Sequence, residues 1–244
     1  MLSKPTIEVC LSPALLHLFD TKDTIVVIID IFRASSTIVA ALHNGARQVI
    51  PIASVEACIA MKNSIPGCIT AGERDGKVAP GLEHGNSPLE YPRSFIENKT
   101  LALTTTNGTK LLHMVQGAER IIIGSFLNLQ AICDYLLQQN KNVLLGCSAW
   151  KDRVNLEDSL FAGAVVDHLR NHFSINCDSA RMAALLYQQA RQHKHLIDFL
   201  QDSSHYRRLS AFGLVQDMEY CTTPNQHPVV PVYNGSALVI SEQQ

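Results

Sequence analysis

Five consecutive apolar residues, Ile25 to Ile29, rich in β-branched side chains, constrain this chain more than any other stretch. Such a run suits a strand buried on both faces, the environment of a parallel sheet covered by helices. A carboxylate, Asp30, stands where the strand ends. Arg33 and the hydroxyls of Ser35, Ser36 and Thr37 follow, and from Ile38 apolar residues recur at helical spacing until Asn44-Gly45. The spacing predicts strand, polar turn, helix. The first free N–H groups of a helix and its dipole favour an anion in such a turn. Asp30 would repel that anion, and a divalent cation between the two is the simplest resolution.

The pattern recurs. ALHNGARQVIPIAS (41–54) matches LLHMVQGAERIIIGS (111–125): leucine-histidine, Gly-Ala with a charged residue, an apolar strand, then serine. Upstream, VIIDIFRASST faces LALTTTNGT; downstream, CITAGERDG faces VLLGCSAWKD. This reads as internal duplication of a βαβαβ unit. Other strands fall at Thr6–Cys10, Gln48–Ile52, Cys68–Ala71, Val229–Tyr233 and Ala237–Ile240, with Ser12 and Ser54 as helix caps. Helices are expected across 178–202 and His205–Phe212, and Gly72–Tyr91 reads as a long irregular segment. The fold class is α/β: a layered α/β/α arrangement around a mostly parallel sheet. With no linker in view, 1–244 reads as a single domain or as two packed α/β lobes, about 1–98 and 99–244.

Charge narrows the partners. Twenty Lys and Arg against 22 Asp and Glu, a net charge of -2, argue against nucleic acid or an anionic membrane and for a small molecule. A homo-oligomer is open. Seven cysteines without CxxC pairs fit reduced thiols in a cytoplasm, and neither a signal sequence nor a membrane span is expected.

Four other groups carry candidate chemistry. Thr105, Thr106, Asn107, Gly108 and Thr109 form the second copy's strand-to-helix turn; if both turns lie at carboxyl ends of one sheet, they face one crevice. Glu73, Arg74, Asn86 and Ser87 sit in the glycine-rich segment, where backbone can approach a ligand. Glu157 and Asp158 open a helix and could complete a Mg²⁺ site with Asp30, although a helix dipole alone explains two acids there. Cys147 and Arg153 span a C-x5-R string as in cysteine phosphatases, but Asp152 inside it would oppose both a thiolate and a phosphate.

Taken together, VIIDIFRASSTI, AGERDGKVAPGLEHGNSPLEY, TTTNGT, the NLED helix start, SHYRRLSAFGLVQDMEYC and VVPVY resemble the 2-phosphosulfolactate phosphatase family. The resemblance implies a Mg²⁺-dependent enzyme of coenzyme M biosynthesis that removes phosphate from 2-phospho-2-hydroxycarboxylic acids, (R)-2-phospho-3-sulfolactate being the name-giving one. The substrate would be a small anionic phosphorylated acid. Asp30, with Glu157 or Asp158, would hold the ion; Arg33 and the two hydroxyl-rich turns would cradle phosphate; Glu73, Arg74, Asn86 and Ser87 would line the substrate side. This chain departs after Cys147, where relatives often continue Ala-Gly and it has Ser148, Ala149 and Trp150. The rival expectation is a non-catalytic protein that binds a phosphorylated or sulfonated acid.

Overall fold

A computed structural model describes residues 4–74, 76–105 and 108–241. The chain opens with β1 (Ile7–Cys10) and a 3₁₀ turn, Pro13–Leu18, capped by Ser12. The first repeat runs β2 (Thr24–Ile29), α1 (Ala34–His43), β3 (Gln48–Ile52), α2 (Val55–Ser64) and β4 (Ile69–Arg74). Next come β5 (Lys77–Val78), a 3₁₀ turn at Pro88–Glu90 and α3 (Arg93–Ile96). The second repeat is β6 (Thr100–Thr104), α4 (Gly108–Met114), β7 (Arg120–Gly124), α5 (Leu129–Gln139) and β8 (Asn142–Cys147). Five helices follow: α6 (Leu156–Leu169), α7 (Asp178–Ala190), α8 (Leu196–Leu200), α9 (Ser204–Ser210) and α10 (Val215–Cys221). The strands β9 (Pro231–Tyr233) and β10 (Leu238–Ile240) close the chain.

All ten strands join one sheet in the order β1-β8-β2-β7-β9-β10-β3-β6-β4-β5. The repeats interleave within it. The first strand of repeat one, β2, lies parallel between β8 and β7, so that Ile29 pairs with Cys147 on one side and Gly124 on the other. The first strand of repeat two, β6, lies parallel between β3 and β4. Equating β2 with β6, β3 with β7 and β4 with β8 makes the order of each half the mirror of the other. The hairpin of β9 and β10 joins the halves through antiparallel contacts, Ile122 with Val232 and Leu238 with Val49.

Period-two alternation explains why β2 is apolar throughout. Ile25, Val27 and Ile29 belong to the core under α5 and α6, whereas Val26 and Ile28 belong to the core on the α1 face. Fully burying such a side chain contributes about 1.5–3 kcal/mol, so β2 anchors both layers. One glycine is indispensable to the stack. A Cβ on Gly163 of α6 would lie 1.9 Å from the Ala183 carbonyl oxygen of α7, and any side chain would force the two helices apart. No helix among the described residues is long and apolar enough to cross a membrane.

Three local expectations shift. The helix after β2 begins at Ala34, not Ile38, because the hydroxyls of its first turn bond back to the residues before it: Ser35 Oγ accepts from the Asp30 N–H at 3.2 Å, and Ser36 Oγ donates to the Ile31 carbonyl at 3.0 Å. The stretch 178–202 is two helices, α8 restarting where Asp198 Oδ2 accepts from the His195 N–H. Gly72–Tyr91 is more ordered than its composition suggests, since β4 continues to Arg74 and turns back into β5.

Candidate active site

The carboxyl ends of β2, β4, β6 and β8 open on one cavity of ≈ 220 Å³. Asp30, Phe32 and Arg33 come from the turn after β2, Glu73, Arg74 and Gly76 from the β4–β5 hairpin, and Thr105 from the turn after β6. Ala149, Trp150 and Lys151 follow β8, and His205, Arg208, Leu209 and Phe212 belong to α9 and its end. Four permanent cations, Arg33, Arg74, Lys151 and Arg208, face two carboxylates, Asp30 and Glu73. With Arg33 paired to Asp217 off the wall, cations still outnumber carboxylates there, and the lining suits an anion.

Asp30 is half-buried on the cavity wall. Burial pushes its carboxyl up to about 6; His205 and the Ala34 N–H pull it down, while Glu73 and Glu157 add to the rise. A carboxyl in this position gains from a nearby cation. Arg33 is buried and forms an ion pair with Asp217 of α10. Asp217 Oδ1 also accepts from Ser87 Oγ at 2.8 Å. Ser87 therefore holds the arginine's counter-ion rather than lining the cavity. Thr37 Oγ1 donates to the Asn86 carbonyl at 2.9 Å, which ties α1 to the segment carrying Asn86. Asn86 is on the cavity wall, and its buried Oδ1 has no hydrogen-bond partner among the described residues.

Glu157 and Asp158, at the start of α6, lie behind this wall. Asp158 Oδ1 accepts from the Ile31 N–H at 2.9 Å and Oδ2 from the Ala149 N–H at 3.3 Å, pinning together the turns after β2 and β8. Burial, then Glu157 and Asp30, push its carboxyl well above the usual range. Glu157 Oε1 meets His205 Nδ1 at 2.5 Å, and its buried Oε2 has no partner among the described residues. No three His, Cys, Asp or Glu among the described residues group as a ready-made metal cage. A hard cation entering the cavity would meet Asp30 on its wall.

The turn after β6 meets the turn after β2 directly. A Cβ on Gly108 would lie 3.1 Å from Asp30 Oδ2. Thr105 Oγ1 accepts from the Thr109 N–H at 3.3 Å and lies 3.2 Å from Thr109 Oγ1. Thr106 and Asn107 lie outside the described residues. Arg74 donates from Nη1 to the Glu73 carbonyl at 2.7 Å, and Glu73 Oε2 accepts from the Gly76 N–H at 2.9 Å. Cys147 is fully buried at the end of β8, where burial, with Asp158, Cys10 and Glu157, pushes its thiol well above its ordinary value. Arg153 is exposed and off the cavity wall. A thiolate nucleophile gripped by that arginine has no support in this geometry.

Sequence reasoning assigned no role to His205, Arg208 or Asp217, all within the string SHYRRLSAFGLVQDMEYC. A polar amphipathic helix reads as a solvated face until what it packs against is known.

The sequence model of a family described as 2-phosphosulpholactate phosphatase matches residues 10–236. Among curated relatives, a protein of Thermotoga petrophila named "Probable 2-phosphosulfolactate phosphatase" is 41% identical over 217 residues, covering 88% of this chain and 92% of its own length. A protein of the same name from Caldanaerobacter subterraneus is 34% identical over 214 residues, covering 87% and 88%. One from Clostridium perfringens is 33% identical over 224 residues, covering 90% of each.

Proposed function

The chain belongs to the 2-phosphosulfolactate phosphatase family, a family of phosphoric monoester hydrolases, and from that membership we propose that its cavity hydrolyses the phosphate ester of 2-phospho-2-hydroxycarboxylic acids. The proposed substrate is (R)-2-phospho-3-sulfolactate, giving 3-sulfolactate and phosphate, with Mg²⁺ at Asp30. The supporting observation is the convergence on one ≈ 220 Å³ cavity of Asp30, four permanent cations and a histidine held by a buried carboxylate.

Bound at Asp30, Mg²⁺ would supply positive charge against the phosphoryl oxygens. Arg33, its position set by Asp217, presents a planar fork to the same oxygens. The Thr105 and Thr109 hydroxyls add donors from the opposite turn, and the Asn86 amide and Arg74 orient the rest of the acid. Glu157 fixes His205 through Nδ1, leaving Nε2 to take a proton from an attacking water. Water oxygen bonds to phosphorus as the bond from phosphorus to the C2 oxygen breaks, and the proton taken by His205 returns to that oxygen, which leaves as the 2-hydroxyl. Glu157 and Asp158 act here by position, one holding His205 and the other holding the turns together.

Phosphate release from a panel of 2-phospho-2-hydroxy acids, with Mg²⁺ and then with EDTA, tests this reading. Release that stops in EDTA and returns with Mg²⁺ is expected. Saturable binding without release in Mg²⁺ would instead mark a binding protein.

A further inference from the structure

An asparagine in front of a helix is expected to cap it, its side-chain oxygen accepting from one of the first free N–H groups. Asn155 stands in that position before the 14 residues of α6, with φ of -97° and ψ of 137°, the extended backbone of a cap. Its carbonyl does its part, accepting from the Ser159 N–H at 3.3 Å and from Ser159 Oγ at 2.9 Å. Its side chain makes no capping bond.

The amide is nevertheless not on the outer surface. Asn155 is 7% exposed, and its Oδ1 and Nδ2 have no hydrogen-bond partner among the described residues. Neither atom is sealed inside the protein, as Asn86 Oδ1 and Glu157 Oε2 are, so the cavity that Asn155 lines is what they open onto. Its footing is firm. Asp158, three residues on, pins α6 to the turns after β2 and β8 through the Ile31 and Ala149 N–H groups, and Glu157 Oε1 meets His205 Nδ1. A largely buried amide without a bond is costly, and here the helix has also forgone its cap. A ligand that occupies the cavity and bonds this amide offsets both.

We infer that Asn155 is a substrate-binding residue, whose Nδ2 donates to an oxyanion of the substrate other than its phosphate. This rests on the phosphatase reading, in which Arg33 and Asp30 take the phosphate. The carboxylate and the distal sulfonate of such an acid accept hydrogen bonds and donate none, so the N–H end of the amide is the one that meets them. A bond from a neutral donor to a charged acceptor is among the stronger kinds, worth ~10–100-fold in affinity.

Two variants separate this role from a structural one. Asn155→Asp keeps the size and the capping oxygen and suits the start of a helix, so a role in folding alone predicts unchanged kinetics. It also removes the donor and sets a charge against the oxyanion. With 2-phospho-3-sulfolactate and 2-phospholactate as substrates, Asn155→Asp is expected to raise KM about 100-fold or more with the thermal midpoint held or raised, and Asn155→Ala to raise it about tenfold. A rise on both substrates assigns the amide to the carboxylate, and a rise confined to the first assigns it to the sulfonate. Unchanged KM in Asn155→Asp, or activity that falls only as far as the fold is lost, would overturn the inference. So would a fall in kcat at constant KM, which puts the amide on the reacting phosphoryl group. Calorimetric titration with 3-sulfolactate reads the same contact without turnover. Should no phospho acid release phosphate while 3-sulfolactate binds the unaltered protein and not the Asn155→Asp variant, the phosphatase reading falls and the role of Asn155 stands. Turnover indifferent to both substitutions would keep the phosphatase and sink that role.

Discussion

Asp30 and Thr105 each follow the first strand of a repeat, and each is tied to the first turn of the helix beyond it. In the first copy the Ser35 N–H donates to the Asp30 carbonyl at 2.9 Å and Ser35 Oγ accepts from the Asp30 N–H. In the second, Thr105 and Thr109 bond each other. From there the two turns diverge. The first reaches out to Asp158, Asp217 and Asn86 through Ile31, Arg33 and Thr37. Among the described residues, the side chains of Thr105 and Thr109 bond only within their own turn. The halves of the sheet match, but α6 and α10 send acids to the first turn, and His205 of α9 packs its ring edge against Phe32 there. A buried charge needs partners. Duplicated backbone therefore provides two similar turns, and the helices packed on one of them decide which can carry Asp30 and Arg33.

This contrast can be broken experimentally. Asp30→Asn should lower kcat by about 10³-fold or more with the fold retained by circular dichroism, while Thr105→Val should cost roughly tenfold. Equal losses would erase the asymmetry between the turns. Asp217→Asn leaves buried Arg33 without its counter-charge and should cost about 3–5 kcal/mol in urea unfolding. Thr109→Val, in the self-contained turn, should stay near 1 kcal/mol, and a reversal of these two would place the buried network in the wrong copy. Gly108→Ala tests the contact between the turns: the new Cβ would crowd Asp30 Oδ2. A roughly tenfold fall in kcat/KM is expected with stability unchanged or up to about 1 kcal/mol higher, since alanine suits a helix better than glycine. Lost stability at full rate would show that the crowding never reaches Asp30.

The smallest effect lies away from both turns, at His227. Burial lowers its pKa to about 4 from 6.5, with His43 acting in the same direction, and Tyr220 Oη lies 2.6 Å from its Nε2. The unfolded chain then binds the proton more readily. This contribution is complete above pH 6.5 and is lost as pH falls toward 4. Urea midpoints at pH 7, 5.5 and 4.5 should show that decline, and His227→Asn should flatten it. An unaltered slope in that variant would locate the acid sensitivity elsewhere.

The strand, turn and helix around Asp30 were legible because a strand buried on both faces leaves an unbroken apolar run, and because hydroxyls cluster where a helix begins. The duplication was legible for the same reason, carried by Gly45-Ala46 and Gly117-Ala118 before matching strands. Partner choice was not. Nothing local tells β2 to pair with β8 and β7, since any buried parallel neighbour satisfies the same run. His205 and Asp217 stayed hidden because their helices are short, and only packing against the start of α6 and against Arg33 gives these two side chains their partners. Ser36 and Thr37 stood out as hydroxyls in an anion turn, yet their bonds go to the carbonyls of Ile31 and Asn86.

The interleaving also sets a timetable for synthesis. β2 ends at Ile29, but its two neighbours begin at Arg120 and Asn142. A strand emerging from the ribosome in that order has both hydrogen-bonding edges open until the second repeat has been made, and long-range pairing is slow to form. The nascent chain therefore holds its most apolar strand unpaired for much of translation, the condition in which chaperone capture competes with aggregation.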